Sequence, residues 1–189
     1  MPRLRRKYSA GSVECDPVDS CVYRVQGKAK VVTPRLRDVV VALGSNQGDR
    51  QKHLTCAVAS LHTHIKRIRL SSFIETAAEG VGPQPDFLNG VLVGVTALSP
   101  EKVMNVLLDI EHKHGRVRPY VGAPRTLDLD LILMGSCVFK NEHVQVPHPR
   151  FRQRRFVLKP LIDLAPELVD PVTGSTMAEL FAALPPFVR

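Results

Sequence analysis

The sequence lacks several features that would assign a chain to a familiar class of protein. It has 189 residues, no tryptophan and 5% aromatic residues. No apolar run approaches the roughly 18–20 residues that a membrane-spanning helix needs. The N-terminus does not combine a basic start, an apolar core and a small-residue cleavage site, so we expect no secretory signal. We therefore expect a soluble, cytoplasmic chain with one domain and a sizeable core, and no membrane partner.

Cysteine pairs with metal-binding or redox spacing are also absent. The four cysteines, Cys15, Cys21, Cys56 and Cys137, form no CxxC motif. This spacing argues against a disulfide framework and against a structural zinc site. Reduced thiols in a cytosol-like compartment are the simpler expectation.

Positive charge is present in excess, but it is unevenly distributed. The net charge is +8, and residues 1–37 carry nine Lys or Arg and three acids, whereas residues 38–189 carry seventeen and fifteen. The basic character therefore belongs mainly to the N-terminal segment. It is weak support for nucleic-acid binding by the folded part, and we expect no nucleic-acid partner.

Residues 1–37 show little periodicity, and three explanations for them stay open. They form a poorly ordered or loosely attached extension, they follow from a start codon assigned too far upstream, or they include a mitochondrial transit peptide. Residues 1–13 are basic and acid-free, as in transit peptides, but the three acids that follow argue against a long one. We predict an N-terminal extension over 1–37 and one domain over 38–189.

From residue 39 onward, apolar periodicity predicts an α+β domain. Beta-branched runs and helical spacing alternate in the order strand, helix, strand, strand, helix, strand, followed by helical additions. The Gly/Pro loop at 79–86 allows a wide hairpin and hence antiparallel pairing. The predicted strands lie near 39–43, 68–76, 87–98 and 126–135, and the helices lie near 54–65, 100–114 and 151–164 and after Thr176.

The turn GSNQGD, after the first strand, does not contain the GK[ST] sequence of a P-loop. We interpret it mainly as a tight turn in which Asn46 or Asp49 caps the next helix. Ser99 is the predicted N-cap of the second helix, and Thr176 with Glu179 predicts a capping box for the last one.

The strand TLDLDLILMG places two acids among leucines. Side chains alternate between the faces of a strand. We therefore expect Asp128, Asp130 and Ile132 to lie on one face, with the two carboxylates about 6–7 Å apart. The opposite, core-facing set is Leu127, Leu129, Leu131 and Leu133. Two neighbouring carboxylates repel each other, and a divalent cation between them would offset that repulsion. The alternatives are a solvated strand face or pairing with nearby arginines.

Arginines bracket this strand in sequence. Those before it are Arg116, Arg118 and Arg125, and those after it are Arg150, Arg152, Arg154 and Arg155, together with His148. Guanidinium groups match phosphate oxygens, so acids flanked by basic loops predict a metal–polyphosphate site. The alternative is a solvated basic rim.

Phe87 and Asn89 are expected to share one face of the third strand. A flat ring beside an amide could recognise a heterocycle by stacking and hydrogen bonding. A core phenylalanine and a turn asparagine are the alternative, and Phe156 is open to the same two interpretations.

Taken together, these segments resemble the 6-hydroxymethyl-7,8-dihydropterin pyrophosphokinase family of the folate pathway. The resemblance covers about residues 39–175. It rests on ALGSNQGD, GPQPDFLNG, IEHKHGRVR, PRTLDLDLIL and VPHPRFRQRRFVLKPL, which occur in the family's order. It implies a ferredoxin-like, three-layer α-β-α fold with a mainly antiparallel sheet. The implied reaction moves the terminal diphosphate of ATP to the pterin hydroxymethyl oxygen and releases AMP, in tetrahydrofolate biosynthesis.

The resemblance also implies roles for individual residues in a monomeric enzyme that has ATP as co-substrate. Asp128 and Asp130 would hold two Mg²⁺ ions. The residues expected to bind ATP are Glu111, Arg116, Arg118, Arg125, His148 and Arg154. Those expected at the pterin are Thr76, Phe87, Asn89, Asp128 and Phe156. The expected catalytic set is Arg116, Arg125, Asp128 and Asp130, and loops 77–86 and 115–125 would act as lids.

One segment departs from the family pattern. An Arg-aromatic-Gly-Pro-Arg run is replaced by YVGAPR, in which Tyr120 could partly substitute for the usual aromatic residue. This departure keeps open an inactive homologue that binds ligands without turnover. A ferredoxin-like sheet and a net charge of +8 also fit a second alternative, an RNA-binding module. A run of strand aromatics, which would support the second, is absent.

Overall fold

We describe the protein from a computed structural model, which covers residues 36–78, 82–116, 120 and 122–185. It also gives the backbone of two short strands, Arg24–Val25 (β1) and Lys28–Ala29 (β2), which pair with each other. Most of the predicted extension over 1–37 lies outside the described residues, and its degree of order stays a prediction.

The centre of the domain is a five-stranded antiparallel sheet. Its strands are Arg37–Ser45 (β3), Lys66–Leu70 (β4), Ile74–Thr76 (β5), Phe87–Thr96 (β6) and Asp128–Met134 (β7). They are ordered β4-β6-β3-β7, and β5 also pairs with β6. This order, with one helix after β3 and another after β6, is ferredoxin-like. The predicted α+β fold with a mainly antiparallel sheet is confirmed.

Two layers of helices cover the sheet. Helices Arg50–Leu61 (α1) and Pro100–Lys113 (α2) pack on one face, and Arg155–Leu164 (α3) and Met177–Ala182 (α4) pack on the other. Ser99 caps α2, and the capping box of α4 is present, as predicted. Asp49, rather than Asn46, caps α1. Among the described residues, no helix combines the length and the apolarity needed to cross a membrane.

The connection from β7 to α3 contains small elements. Strands Phe139–Lys140 (β8) and Gln145–Val146 (β9) form a hairpin, and a 3₁₀ turn spans Phe151–Gln153. The helix predicted over 151–164 is therefore divided into this turn and α3. Arg154 lies at the junction in an extended conformation, with φ −96° and ψ 100°.

The strand predicted over 68–76 is also divided, and Ser71 explains the break. Its side-chain oxygen accepts a hydrogen bond from the backbone N–H of Val91 at 3.0 Å, and its own N–H donates to the Val91 carbonyl at 3.0 Å. Because a hydroxyl takes the place of a backbone acceptor, the regular ladder stops there and resumes at Ile74.

The alternation predicted for β7 is wrong at one position, Leu133. The ladder between β3 and β7 shifts register between Val40 and Val41, and Ile132 and Leu133 both pack on the face covered by α3. A bulge inserts one extra residue and reverses the alternation beyond it. The apolar residues of this segment do not predict the bulge, because both faces of the sheet bury apolar side chains.

Gly94 allows β4 to approach β6 closely, and its replacement predicts a loss of stability. A Cβ at Gly94 would lie 2.5 Å from Ile65 Cγ2 and 2.8 Å from the Lys66 carbonyl oxygen. We expect Gly94→Ala to lower the free energy of unfolding by about 1–3 kcal/mol, because the crowded strand must shift. Urea denaturation would measure the change. Gly82→Ala is the control, since nothing lies within 4 Å of its Cβ position. Equal stability of the two variants would contradict this account.

Candidate active site

Three neighbouring strands bring an acid, a glycine and an amide into one row. Gly44 on β3 pairs with Asp128 on β7 and with Asn89 on β6. A Cβ at Gly44 would lie 2.9 Å from Asn89 Oδ1 and 3.5 Å from the Phe87 ring. The lack of a side chain at Gly44 therefore keeps the space between the carboxylate and the amide open. Sequence reasoning did not assign this role to Gly44.

Asp128 and Asp130 lie on the same face of β7, as predicted, and arginines neutralise both. Asp128 accepts a hydrogen bond from Arg116 at 2.6 Å and forms an ion pair with Arg125 at 3.0 Å, and Asp130 accepts a hydrogen bond from Arg154 at 2.7 Å. The carboxylate side chains remain 22% and 30% exposed. The arginine pairing considered from the sequence is thus present, and the carboxylates stay accessible from solvent.

Glu111 lies below this pair and holds Arg116 in place. Its side chain is 2% exposed, Oε1 accepts the N–H of Leu129 at 2.7 Å, and Oε2 pairs with Arg116. Burial raises the pKa of Glu111, while the Leu129 and Arg116 contacts oppose that change. Arg116 therefore bridges a buried acid and Asp128. A direct contact of Glu111 with a nucleotide stays a prediction.

Two of the arginines each have an unpaired hydrogen-bond donor. The Nε atoms of Arg116 and Arg125 are buried and have no partner in the described part of the chain. An unpaired buried N–H is unfavourable, and an anionic oxygen would satisfy it. These donors therefore favour an anionic ligand beside Asp128.

The residues predicted to recognise a heterocycle also lie in this region. Asn89 is buried and donates from Nδ2 to Thr76 Oγ1 at 2.7 Å. The Arg125 guanidinium lies 5.5 Å from the centre of the Phe87 ring, and that of Arg154 lies 5.5 Å from the Phe156 ring. Each predicted stacking ring thus lies against an arginine that contacts one of the two aspartates.

His148 is held in a defined orientation by the β7 bulge. Its backbone N–H donates to the carbonyl of Ile132 at 2.9 Å, and its Nδ1 accepts from the N–H of Arg150 at 3.2 Å. Burial lowers the pKa of His148, although Asp130 acts in the opposite direction. In the neutral ring the proton is then on Nε2, which lies 3.9 Å from Asp130 Oδ2. His148 therefore presents a donor toward the site.

Two of the predicted residues belong to the loop at 115–125. Arg118, predicted to bind ATP, lies outside the described residues. Tyr120 is 64% exposed, and its carbonyl accepts from the N–H of Ala123 at 3.3 Å. Its substitution for the family's aromatic residue stays a prediction.

Asn46 joins two loops, a role that sequence reasoning missed because it considered Asn46 only as a helix cap. Its Oδ1 accepts from the N–H of Arg125 at 2.8 Å, and its backbone N–H donates to the Arg125 carbonyl at 3.1 Å. Its Nδ2 donates to Gln84 Oε1 at 2.8 Å and to the Pro85 carbonyl at 3.1 Å. Gln84 also donates to the Gly122 carbonyl at 3.3 Å. Only the folded chain brings these segments together.

Comparison with known proteins places this geometry in a family context. Residues 40–166 match the family model of 7,8-dihydro-6-hydroxymethylpterin-pyrophosphokinase (HPPK). The chain is 42% identical over 143 residues to the 2-amino-4-hydroxy-6-hydroxymethyldihydropteridine pyrophosphokinase of Synechocystis sp., covering 75% of this chain and 73% of that protein. It is 37% identical over 152 residues to the protein of the same name in Pseudomonas aeruginosa, covering 79% and 93%.

A solved structure supports the fold. The crystal structure of Plasmodium falciparum HPPK-DHPS superposes with a TM-score of 0.64 at 15% sequence identity. The match covers 78% of this chain and 44% of that chain, so it extends over less than half of the longer protein. At this identity the likeness concerns the fold alone.

The hydrogen bonds of Asn46 predict that one substitution loosens two loops. We expect Asn46→Ala to speed amide hydrogen exchange both at 84–86 and at 122–125, because the side chain bonds to both segments. Hydrogen-exchange mass spectrometry would measure it. Asn141→Ala is the control, since Asn141 accepts from the backbone N–H groups of His143 and Val144, away from these loops. Faster exchange in one loop alone would show that Asn46 does not couple them.

Proposed function

The chain belongs to the 7,8-dihydro-6-hydroxymethylpterin-pyrophosphokinase family, and we propose that it transfers the terminal diphosphate of ATP to 6-hydroxymethyl-7,8-dihydropterin, releasing AMP. One observation carries the proposal: one face of the sheet holds two accessible carboxylates with arginine partners beside an amide and an aromatic ring. The arginines and carboxylates suit a polyphosphate, and the amide and aromatic ring suit a heterocycle.

The arginines are the groups that would hold the triphosphate of ATP. In the free protein Arg116, Arg125 and Arg154 pair with aspartates, and a polyphosphate offers them stronger acceptors. The spare Nε donors of Arg116 and Arg125 support this role. His148 adds its Nε2–H, and Arg118 and Glu111 complete the proposed ATP-binding set.

The aspartates fit magnesium in the presence of nucleotide. When arginines shift to phosphate oxygens, Asp128 and Asp130 lose their neutralising partners, and Mg²⁺ favours a few carboxylates together with phosphates. Asp128 and Asp130 would therefore hold two Mg²⁺ ions. When bound, Mg²⁺ supplies charge neutralisation and polarisation of the phosphoryl group.

The pterin would lie on the side of Asp128 that faces the Asn89 amide. Asn89 can hydrogen-bond the edge of the heterocycle, and its bond to Thr76 fixes the amide orientation. Phe87 and Phe156 would stack on the ring, and Gly44 leaves the space that the ring needs. Asp128 would lie between the bound ATP and the bound pterin, next to the reacting atoms.

The reaction is an in-line displacement. The protein residues mainly position the substrates and neutralise the charge of the phosphates. The hydroxymethyl oxygen attacks the β-phosphorus, a new P–O bond forms, and the bond between the β-phosphorus and the bridging oxygen of AMP breaks. Asp128 and Asp130 are the nearest candidates to take the hydroxyl proton. Arg116 and Arg125 stabilise charge on the phosphates. We expect loops 77–86 and 115–125, parts of which lie outside the described residues, to close over the substrates and exclude water.

We further propose a monomer that acts in the cytoplasm, with an N-terminal extension over 1–37. The mitochondrial matrix is the alternative if that basic segment is a transit peptide.

Nucleotide chromatography after incubation with ATP, Mg²⁺ and 6-hydroxymethyl-7,8-dihydropterin tests the function. We expect AMP to appear in step with the pterin diphosphate. Release of ADP would contradict the chemistry proposed here. Binding of both ligands without AMP would identify an inactive homologue instead.

Loss of the Asp130 carboxylate should abolish the reaction, because it weakens metal binding. We expect Asp130→Ala to lower the rate of AMP formation by at least about 100-fold. It should also weaken Mn²⁺ binding in the presence of a non-hydrolysable ATP analogue, measured by electron paramagnetic resonance. Asp109→Ala, at an exposed acid on α2, is the control. Unchanged Mn²⁺ binding in Asp130→Ala would overturn the metal assignment.

A further inference from the structure

Asp170 is a buried acid that the reaction described above does not use. It is fully buried and lies in the loop between α3 and α4. Its carboxylate accepts from Arg152 Nε at 2.6 Å and from Arg152 Nη2 at 2.8 Å, in the paired geometry of an arginine fork. The hydroxyl of Thr173 donates at 2.7 Å, and the N–H of Val172 donates at 3.2 Å. Both oxygens are therefore satisfied.

The loop around Asp170 is fixed at both ends by backbone hydrogen bonds. The Asp170 N–H donates to the Ser175 carbonyl at 2.9 Å, and the Gly174 N–H donates to the Asp170 carbonyl at 2.9 Å. The Met177 N–H donates to the Leu168 carbonyl at 2.8 Å, where α4 begins. Backbone hydrogen bonds therefore hold the loop that carries Asp170 in place.

Arg152, the partner of Asp170, belongs to the 3₁₀ turn that leads directly to Arg154. Its guanidinium lies 4.8 Å from the centre of the Phe151 ring, and Phe151 is fully buried in the core. The Arg154 N–H donates to the Phe151 carbonyl at 3.1 Å. Asp170 therefore fixes the turn at a point two residues before the arginine that pairs with Asp130.

Two aspartates hold this segment of the chain: Asp170 pairs with Arg152, and Asp130 pairs with Arg154. Arg154 pairs with Asp130 in the free protein, and under the proposed function it moves to a phosphate oxygen. Of the two carboxylates that hold the turn, Asp170 alone is then left. Arg154 has no side-chain cap contact at the start of α3 that could replace it.

We propose that Asp170 is a positioning residue that acts through Arg152 to place Arg154 against the polyphosphate of the nucleotide. This inference rests on the proposed function, because it concerns the same nucleotide. Asp170 touches no reacting group, and its effect on the reaction passes through the 3₁₀ turn. A purely structural role would lower stability without a selective effect on nucleotide binding.

Asp170→Asn tests the proposal, with Asp163→Asn as the matched control. Asp163 lies on α3 and forms an exposed ion pair with Lys159 at 2.7 Å. At a temperature well below unfolding, we expect Asp170→Asn to lower kcat/KM for ATP by about tenfold to 100-fold, mainly through KM. The affinity for the pterin should change less. Wild-type kinetics in both variants, in a protein that releases AMP, would overturn the proposal.

A double-mutant cycle with Arg154→Gln separates positioning from general destabilisation. Binding of a non-hydrolysable ATP analogue is measured by calorimetry in the four proteins. If Asp170 acts through Arg154, the effect of Asp170→Asn shrinks to about twofold or less in the Arg154→Gln background. An unchanged effect in that background would overturn the proposal.

A second variant covers the case in which Asp170→Asn does not fold. Arg152→Lys keeps the positive charge but loses the paired geometry of the guanidinium, so the same kinetic and binding changes are expected. Normal ATP kinetics of Arg152→Lys would overturn the proposal. A wild-type protein that forms no AMP would instead count against the proposed function, before any variant is compared.

Discussion

The arrangement of this domain depends on two carboxylates that share one face of an edge strand. Asp128 and Asp130 repel each other and are only partly solvated, so the fold must supply positive charge close to both. Arg116 follows the end of α2, Arg125 precedes β7, and Arg154 lies between the 3₁₀ turn and α3. Three separate segments converge on the pair, and this convergence supports the proposed polyphosphate site.

A glycine in β3 and a bulge in β7 shape the rest of the site. Gly44 leaves a gap where a side chain would press on Asn89, and the bulge at Ile132 presents a carbonyl to the N–H of His148. A side chain at Gly44 would fill this gap. Gly44 and the β7 bulge therefore lie next to residues proposed to bind the substrates.

Much of the fold could be predicted from the sequence because periodicity and capping are local properties. The strand and helix order, the cap at Ser99 and the capping box at Thr176 all follow from neighbouring residues. The face of Leu133 and the break at Ser71 could not be predicted, because each depends on a partner strand. The hub at Asn46 was missed for the same reason: its partners lie 38 and 79 positions away in sequence.

The residue types and their spacing specify which chemical groups are available: two acids at alternate strand positions, arginines on either side of them, and an aromatic ring near an amide. Folding specifies which arginine pairs with which acid, and it makes Glu111 and Asp170 buried partners of arginines. Residue types and short-range spacing set local conformation, whereas ion pairs and burial arise because packing brings distant segments together.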